Sequence, residues 1–177
     1  MFPIPNATFV PDFVPDHKDL FDHLLSSVAW DERLRARKTA SFGVSYDYSG
    51  ITYPQVAMPE SLQGICKQIE ATLGFYPNNC LLNHYPDGQS SMGFHSDSTE
   101  ELAEGTGDAI VSLGSEREMM FRYKQLRSHE IPYALTPGSL LYMSKEFQSL
   151  WLHAIPKSPG SGQRISLTFR LMLKTGA

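Results

Sequence analysis

The chain has 177 residues, 41% hydrophobic, 19% charged and 11% aromatic, with a formal net charge of −4. This length fits one domain that buries its own core, and the aromatic content excludes general disorder. The acidic total argues against a strongly basic nucleic-acid binder, and no apolar run approaches the ~20 residues that span a bilayer.

The segment 1–32 carries a net −5, six acids against Lys18. Met1 to Val10 lack the basic and then apolar pattern of a secretory signal, so a cytoplasmic protein is expected. Asp16 is a plausible N-cap ahead of Leu20, Phe21, Leu24, Leu25 and Val28, and their spacing predicts a helix over 16–28. A basic cluster follows: Arg33, Arg35, Arg37 and Lys38. Residues 38–48 read as two short strands around Gly43, followed by a turn at Ser49-Gly50. A second helix is predicted over 59–73, with Pro59 at its first turn, an apolar stripe of Leu62, Ile65, Ile69 and Leu73, and Gly74 as its stop. Beyond Gly74 the apolar period shortens. Strands are predicted over 79–85, 92–95, 108–114, 118–123, 129–134, 139–143, 150–155 and 163–172. So many short strands predict a mostly β fold, an antiparallel sandwich or jelly roll with the two helices backing the larger sheet. The whole chain, 1–177, reads as one domain, with helices and strands over 1–75 and the jelly-roll core over 76–177. Cys66 and Cys80 lie in apolar runs and read as buried, reduced thiols.

Three features carry chemistry. His95-x-Asp97 places an imidazole and a carboxylate at i and i+2, on one face of a strand end. With His153, far downstream in the run SLWLHAI, they make up the two-His, one-carboxylate set that leaves open positions on non-haem Fe(II). The last strand alternates strictly: Arg164, Ser166, Thr168 and Arg170 share one face, and Ile165, Leu167 and Phe169 the other. Its two guanidiniums start about 20 Å apart along the strand. They suit bidentate carboxylate binding if the strand is internal, or a solvated face if it is an edge. Asn83 and Tyr85 share a face of a strand ending at the turn Pro86-Asp87-Gly88, placed to hydrogen-bond a small acid, while His84 points the other way.

In this order the pieces resemble the AlkB family of Fe(II)- and 2-oxoglutarate-dependent dioxygenases: Asn83-x-Tyr85-x-x-Gly88, His95-x-Asp97, His153, and Arg164-x-Ser166-Leu-Thr-Phe-Arg170. The upstream runs from Arg37 to Gly43 and from Tyr46 to Gly50 look like the nucleotide-recognition region of its DNA-repair members. The resemblance implies a double-stranded β-helix with N-terminal helices behind the larger sheet. It implies Fe(II) on His95, Asp97 and His153, which are also the catalytic residues. It implies 2-oxoglutarate held by Asn83, Tyr85, Arg164, Ser166 and Arg170, with O2 at the remaining position. Arg164 would pair with the distal carboxylate, and Arg170 would lie near the carboxylate that chelates the metal. In that chemistry 2-oxoglutarate and O2 yield succinate and CO2, and an N-methyl group is oxidised to a hydroxymethyl that leaves as formaldehyde. Tyr46 and Tyr48 match positions that stack on a flipped base, or else they pack as ordinary strand tyrosines. Arg117 and Arg122 match a strand beside the substrate pocket. Position 99 is Thr where DNA-repair members place an acid against the base, and position 166 is Ser where the bacterial prototype has Asn.

The expected activity is oxidative dealkylation of N-alkylated bases in DNA or RNA, single-stranded or with the base flipped out, by a monomer that uses no membrane. Thr99 and the acidic total favour an alternative with the same chemistry, a hydroxylase or demethylase of a small molecule, peptide or RNA modification. A jelly-roll binding module without activity is the third reading, disfavoured by the intact triad. The basic clusters around Arg37 and Arg122 are expected to flank the substrate entrance, and Trp30 is the nearest candidate for a wedge filling the gap left by a flipped base.

Overall fold

A computed structural model describes residues 1 and 3–173. In chain order the elements are β1 (Thr8–Val10), α1 (His17–Ser27), β2 (Lys38–Gly43), β3 (Tyr46–Tyr48), β4 (Ile51–Tyr53), α2 (Glu60–Leu73), β5 (Asn79–Tyr85), β6 (Met92–His95), β7 (Gly107–Gly114), β8 (Arg117–Tyr123), β9 (Glu130–Leu135), β10 (Leu140–Ser144), α3 (Lys145–Leu150), β11 (Trp151–Ile155) and β12 (Arg164–Arg170). They assemble into a six-stranded sheet ordered β1-β10-β7-β12-β5-β2, a four-stranded sheet ordered β6-β11-β8-β9, and the hairpin β3-β4. This is the jelly roll that the strand spacing predicts.

Strand alternation builds two cores. One face of the larger sheet (Ala40, Cys80, Leu82, Val111, Leu113, Ile165, Leu167 and Phe169) packs on the apolar stripes of α1 and α2, including Leu24, Leu62, Ile65 and Ile69. The other face contributes Tyr85, Ile110, Leu141 and Met143, which meet Met119, Phe121, Leu135 and Trp151 of the smaller sheet. α2 stops where predicted: Gly74 has φ 84° and donates its N–H to Glu70 O at 2.9 Å. Asp16 stands at the α1 N-cap, but its carboxylate makes no capping bond. Cys66 and Cys80 are free and buried.

Three elements escape the sequence reading: β1, β4 and α3. The two strands are three residues long, too short to show a period, and the short helix α3 continues a β-patterned run. Ser144 starts that helix by accepting the Phe147 N–H at 3.2 Å. Both edges of the larger sheet, β1 and β2, come from the segment 1–75, so residue 75 does not divide the sheet. Of the core expected over 76–177, residues 174–177 lie outside the described residues. β12 is internal, paired with β5 on one side and β7 on the other, and all seven of its residues are buried. The solvated-edge reading of Arg164 and Arg170 is therefore overturned. No helix among the described residues is long and apolar enough to cross a membrane.

Candidate active site

β6 ends at His95, and the sheet register sets His95 directly opposite His153 of β11, with ring centroids 4.3 Å apart. Asp97 follows two residues on and closes the group: Oδ1 lies 3.3 Å from His95 Nε2, and Oδ2 lies 3.6 Å from His153 Nε2. One potential ligand atom from each of the three residues lies within 4.8 Å of the others. His95 Nδ1 bonds to Gly93 O at 2.8 Å. A carbonyl only accepts, so Nδ1 carries the proton, and in the neutral ring Nε2 is a lone pair aimed at a carboxylate. Two acceptors facing each other this closely call for a proton or a cation between them. Burial pushes His153 down to about 4 despite the nearby Asp97, so it is the neutral imidazole that a metal requires. Burial works against ionisation of Asp97, but a proton on His95 Nε2, which Asp97 favours by raising the His95 pKa, and the charge of Arg170 hold its carboxyl well below the usual range. With a cation in place of the proton between His95 and Asp97, the donor set is two neutral imidazoles and an ionised carboxylate, which fits Fe(II).

Beside this cluster a cavity opens between the sheets. Its wall includes Asp97 and His153, the inward face of β12 (Arg164, Ser166, Thr168, Arg170), Asn83 and Tyr85 of β5, and Tyr48. Arg164 is 1% exposed. Its Nη2 donates to Ser112 Oγ at 3.0 Å, while Nε and Nη1 have no hydrogen-bond partner among the described residues. A buried guanidinium with unpaired donors in a cavity wall is a fork shaped for a carboxylate. Both Arg164 and Arg117 lie over the Tyr85 ring, 5.1 and 5.6 Å from its centroid. Asn83 Oδ1 accepts from Arg37 Nε at 2.8 Å, which leaves its amide N–H groups for the cavity. Gly88 has a packing cause. A Cβ there would meet Ser158 O at 1.8 Å, because the segment before β12 crosses against it and Ser158 N donates to Gly88 O at 2.8 Å.

Two residues missed by the sequence reading brace the cluster. Asp108 of β7 is fully buried and accepts from Arg170 Nε through Oδ1 and from Gln148 Nε2, at 2.9 Å, through Oδ2. Gln148 of α3 accepts the Asp97 N–H at 3.0 Å. Burial pushes the Asp108 carboxyl up to about 6, against the pull of Arg170. An acid heading the apolar run GDAIVSLG was the available signal for Asp108. Gln148 had none, because α3 itself was not predicted.

The hairpin β3-β4 carries both tyrosines. Tyr46 and Tyr48 stack with centroids 6.5 Å apart, and the Arg170 guanidinium lies 5.0 Å over the Tyr46 ring. Burial pushes the Tyr46 hydroxyl up to about 12. Arg37 donates to the Tyr48 hydroxyl and to Ser91 O. Thr99 is half-buried in the loop after Asp97 and does not line the cavity.

Arg117 and Arg122 have partners within the protein. Arg117 is 2% exposed and donates to Ser90 O at 2.8 Å and Pro156 O at 2.6 Å, so it ties loops together. Arg122 pairs across the sheet with Leu152, while His153 pairs with Phe121, so Arg122 sits on the face opposite His153. There it lies over Phe94 at 3.6 Å and pairs with Glu130. The basic clusters are largely consumed in the same way. Arg33 pairs with Asp31, Lys38 with Glu32, and Lys124 donates to Gln148 O. Trp30 packs on the helix-side core with its ring centroid 5.2 Å from that of His84, and does not stand free as a wedge.

Residues 17–170 match the family model of the 2OG-Fe(II) oxygenase superfamily. DNA oxidative demethylase ALKBH2 of Bos taurus is 33% identical over 150 residues, covering 78% of this chain and 54% of that protein. The chain therefore spans about half the length of that relative. Protein R406 of Acanthamoeba polyphaga mimivirus is 31% identical over 157 residues, covering 88% of this chain and 81% of that protein. The solved structure of OsALKBH1 matches 96% of this chain and 100% of that chain with a TM-score of 0.67 at 17% identity, a likeness of fold. The chain belongs to the AlkB family within the 2OG-Fe(II) oxygenase superfamily, whose reaction uses Fe(II), 2-oxoglutarate and O2.

Proposed function

We propose that this chain is an Fe(II)- and 2-oxoglutarate-dependent oxidative dealkylase of N-alkylated nucleobases in DNA or RNA. The observation that carries the reading is the shared cavity: the His95, Asp97 and His153 cluster, the unpaired donors of Arg164 and the Tyr48 ring all border it or adjoin it. In this reading His95, Asp97 and His153 hold the metal. Arg164 takes the distal carboxylate of 2-oxoglutarate, Asn83 and Tyr85 donate to it, Ser166 lines its path, and Arg170 stands near its metal-chelating end. When bound, Fe(II) and 2-oxoglutarate activate O2 for attack on a substrate C–H bond, and the protein orients the reactants and excludes water.

The tyrosine pair on the hairpin supports stacking of a base extruded from a single strand or a flipped site. The consumption of most of the two basic clusters favours the second reading, a hydroxylase or demethylase of a small molecule, peptide or RNA modification with the same chemistry. The buried free thiols accord with a cytoplasmic location, and the reading takes the chain as a monomer.

The experiment is a screen of 1-methyladenine, 3-methylcytosine and etheno adducts in single- and double-stranded DNA and RNA, with Fe(II) and 2-oxoglutarate, read by mass. Loss of the alkyl mass from at least one oligonucleotide is expected. Succinate formation with no change in any of them moves the substrate to the second reading.

A further inference from the structure

We propose that Asp108 is a positioning residue that holds Arg170 away from Asp97 and so keeps the Asp97 carboxylate available to a divalent metal. The proposal rests on the reading of His95, Asp97 and His153 as the metal ligands.

Arg170 is 3% exposed, so its charge is settled by neighbouring side chains and not by water. Two carboxylates compete for it. Asp108 takes Arg170 Nε in a close contact, while Asp97 Oδ2 lies 3.6 Å from Arg170 Nη2. That same Oδ2 faces His153 Nε2 at 3.6 Å, so it is the oxygen a metal would share with His153. Without the charge of Asp108, the one remaining carboxylate beside Arg170 in this network is Asp97. A guanidinium drawn onto it occupies the lone pairs that the metal needs. Gln148 reinforces the arrangement by bonding to the Asp97 backbone and to Asp108 Oδ2 with its two amide atoms. Stability alone gives little reason for an ion pair at this depth, because apolar residues of similar volume usually serve a core as well or better.

The test is Mn(II) binding followed by the loss of the free-ion EPR signal, with no cosubstrate or nucleic acid present. Asp108→Asn keeps the shape and removes the charge. It is expected to weaken Mn(II) binding about 10–100-fold. Adding Arg170→Met removes the competing guanidinium, and the pair D108N/R170M is expected to return to the wild-type range. A merely structural role for Asp108 would not be rescued by deleting its partner. Wild-type affinity in D108N, or a double variant as weak as D108N, overturns the proposal. Where D108N does not fold, Asp108→Leu with Arg170→Leu replaces the pair by apolar side chains. Retained Mn(II) affinity there supports the proposal, and lost affinity overturns it. Normal Mn(II) binding with no dealkylation of any oligonucleotide counts against the proposed substrate alone.

Discussion

Arg164 concentrates the cosubstrate argument in one side chain: a buried cation, one bond to Ser112, and two donor nitrogens left over at the cavity wall. Arg164→Ala is expected to raise the 2-oxoglutarate concentration for half-maximal succinate formation by about 10–100-fold, the worth of a ~1.5–3 kcal/mol charge-assisted bond. An unchanged requirement would remove Arg164 from the site. His84 governs a separate pH dependence. Burial lowers its pKa below 6.5, although the bond from its Nε2 to Gln163 Oε1 works the other way. The unfolded chain therefore binds the proton first. Stability from this group is complete above the unfolded value near 6.5 and is lost as pH falls towards the lowered folded value. His84→Gln should lose less stability than wild type between pH 8 and pH 5, as read by urea unfolding at each pH. Parallel stability curves would contradict it.

Among the elements, α2 and β12 show how the site is kept rigid from behind. Ile69 and Leu62 of α2 are fully buried in one core with Leu167 and Phe169, whose strand turns its other face to the cavity. Ile69→Ala is expected to cost about 2–5 kcal/mol in denaturant unfolding, with Mn(II) affinity unchanged in the folded protein. Strand β12 was legible because strict alternation assigns every residue a face. Its surroundings were not: alternation cannot say whether the polar face meets water or a cavity, and only pairing with both β5 and β7 decides that. His95, Asp97 and His153 were legible as types at a spacing, while their convergence needed the register that sets His95 opposite His153. The surroundings of Arg117 and Arg122 were illegible for the same reason. Their positions on β8 were right, but the sequence does not show that one is capped by loop carbonyls and the other faces outward.

At the scale of the whole molecule, the net charge of −4 takes on a different meaning. Most members of the two basic clusters are paired or hydrogen-bonded within the chain, Arg33 and Lys124 at the surface, and Arg35 and Arg127 are the exposed members without such a partner among the described residues. Binding to a single-stranded oligonucleotide is therefore expected to show a shallow salt dependence, a log–log slope no steeper than about −2. A much steeper slope, read by fluorescence anisotropy across a salt series, would mean that the phosphate backbone meets a cationic surface these side chains do not form. In the proposed function, recognition falls to the hairpin tyrosines beside the His95, Asp97 and His153 cluster and the Arg164 fork. The most direct measurement of that account is the yield of formaldehyde and succinate when the chain, Fe(II), 2-oxoglutarate and O2 meet an oligonucleotide carrying 1-methyladenine or 3-methylcytosine. Equimolar formaldehyde and succinate, both lost in Asp97→Ala, is the predicted result. Succinate without formaldehyde from either base would contradict it.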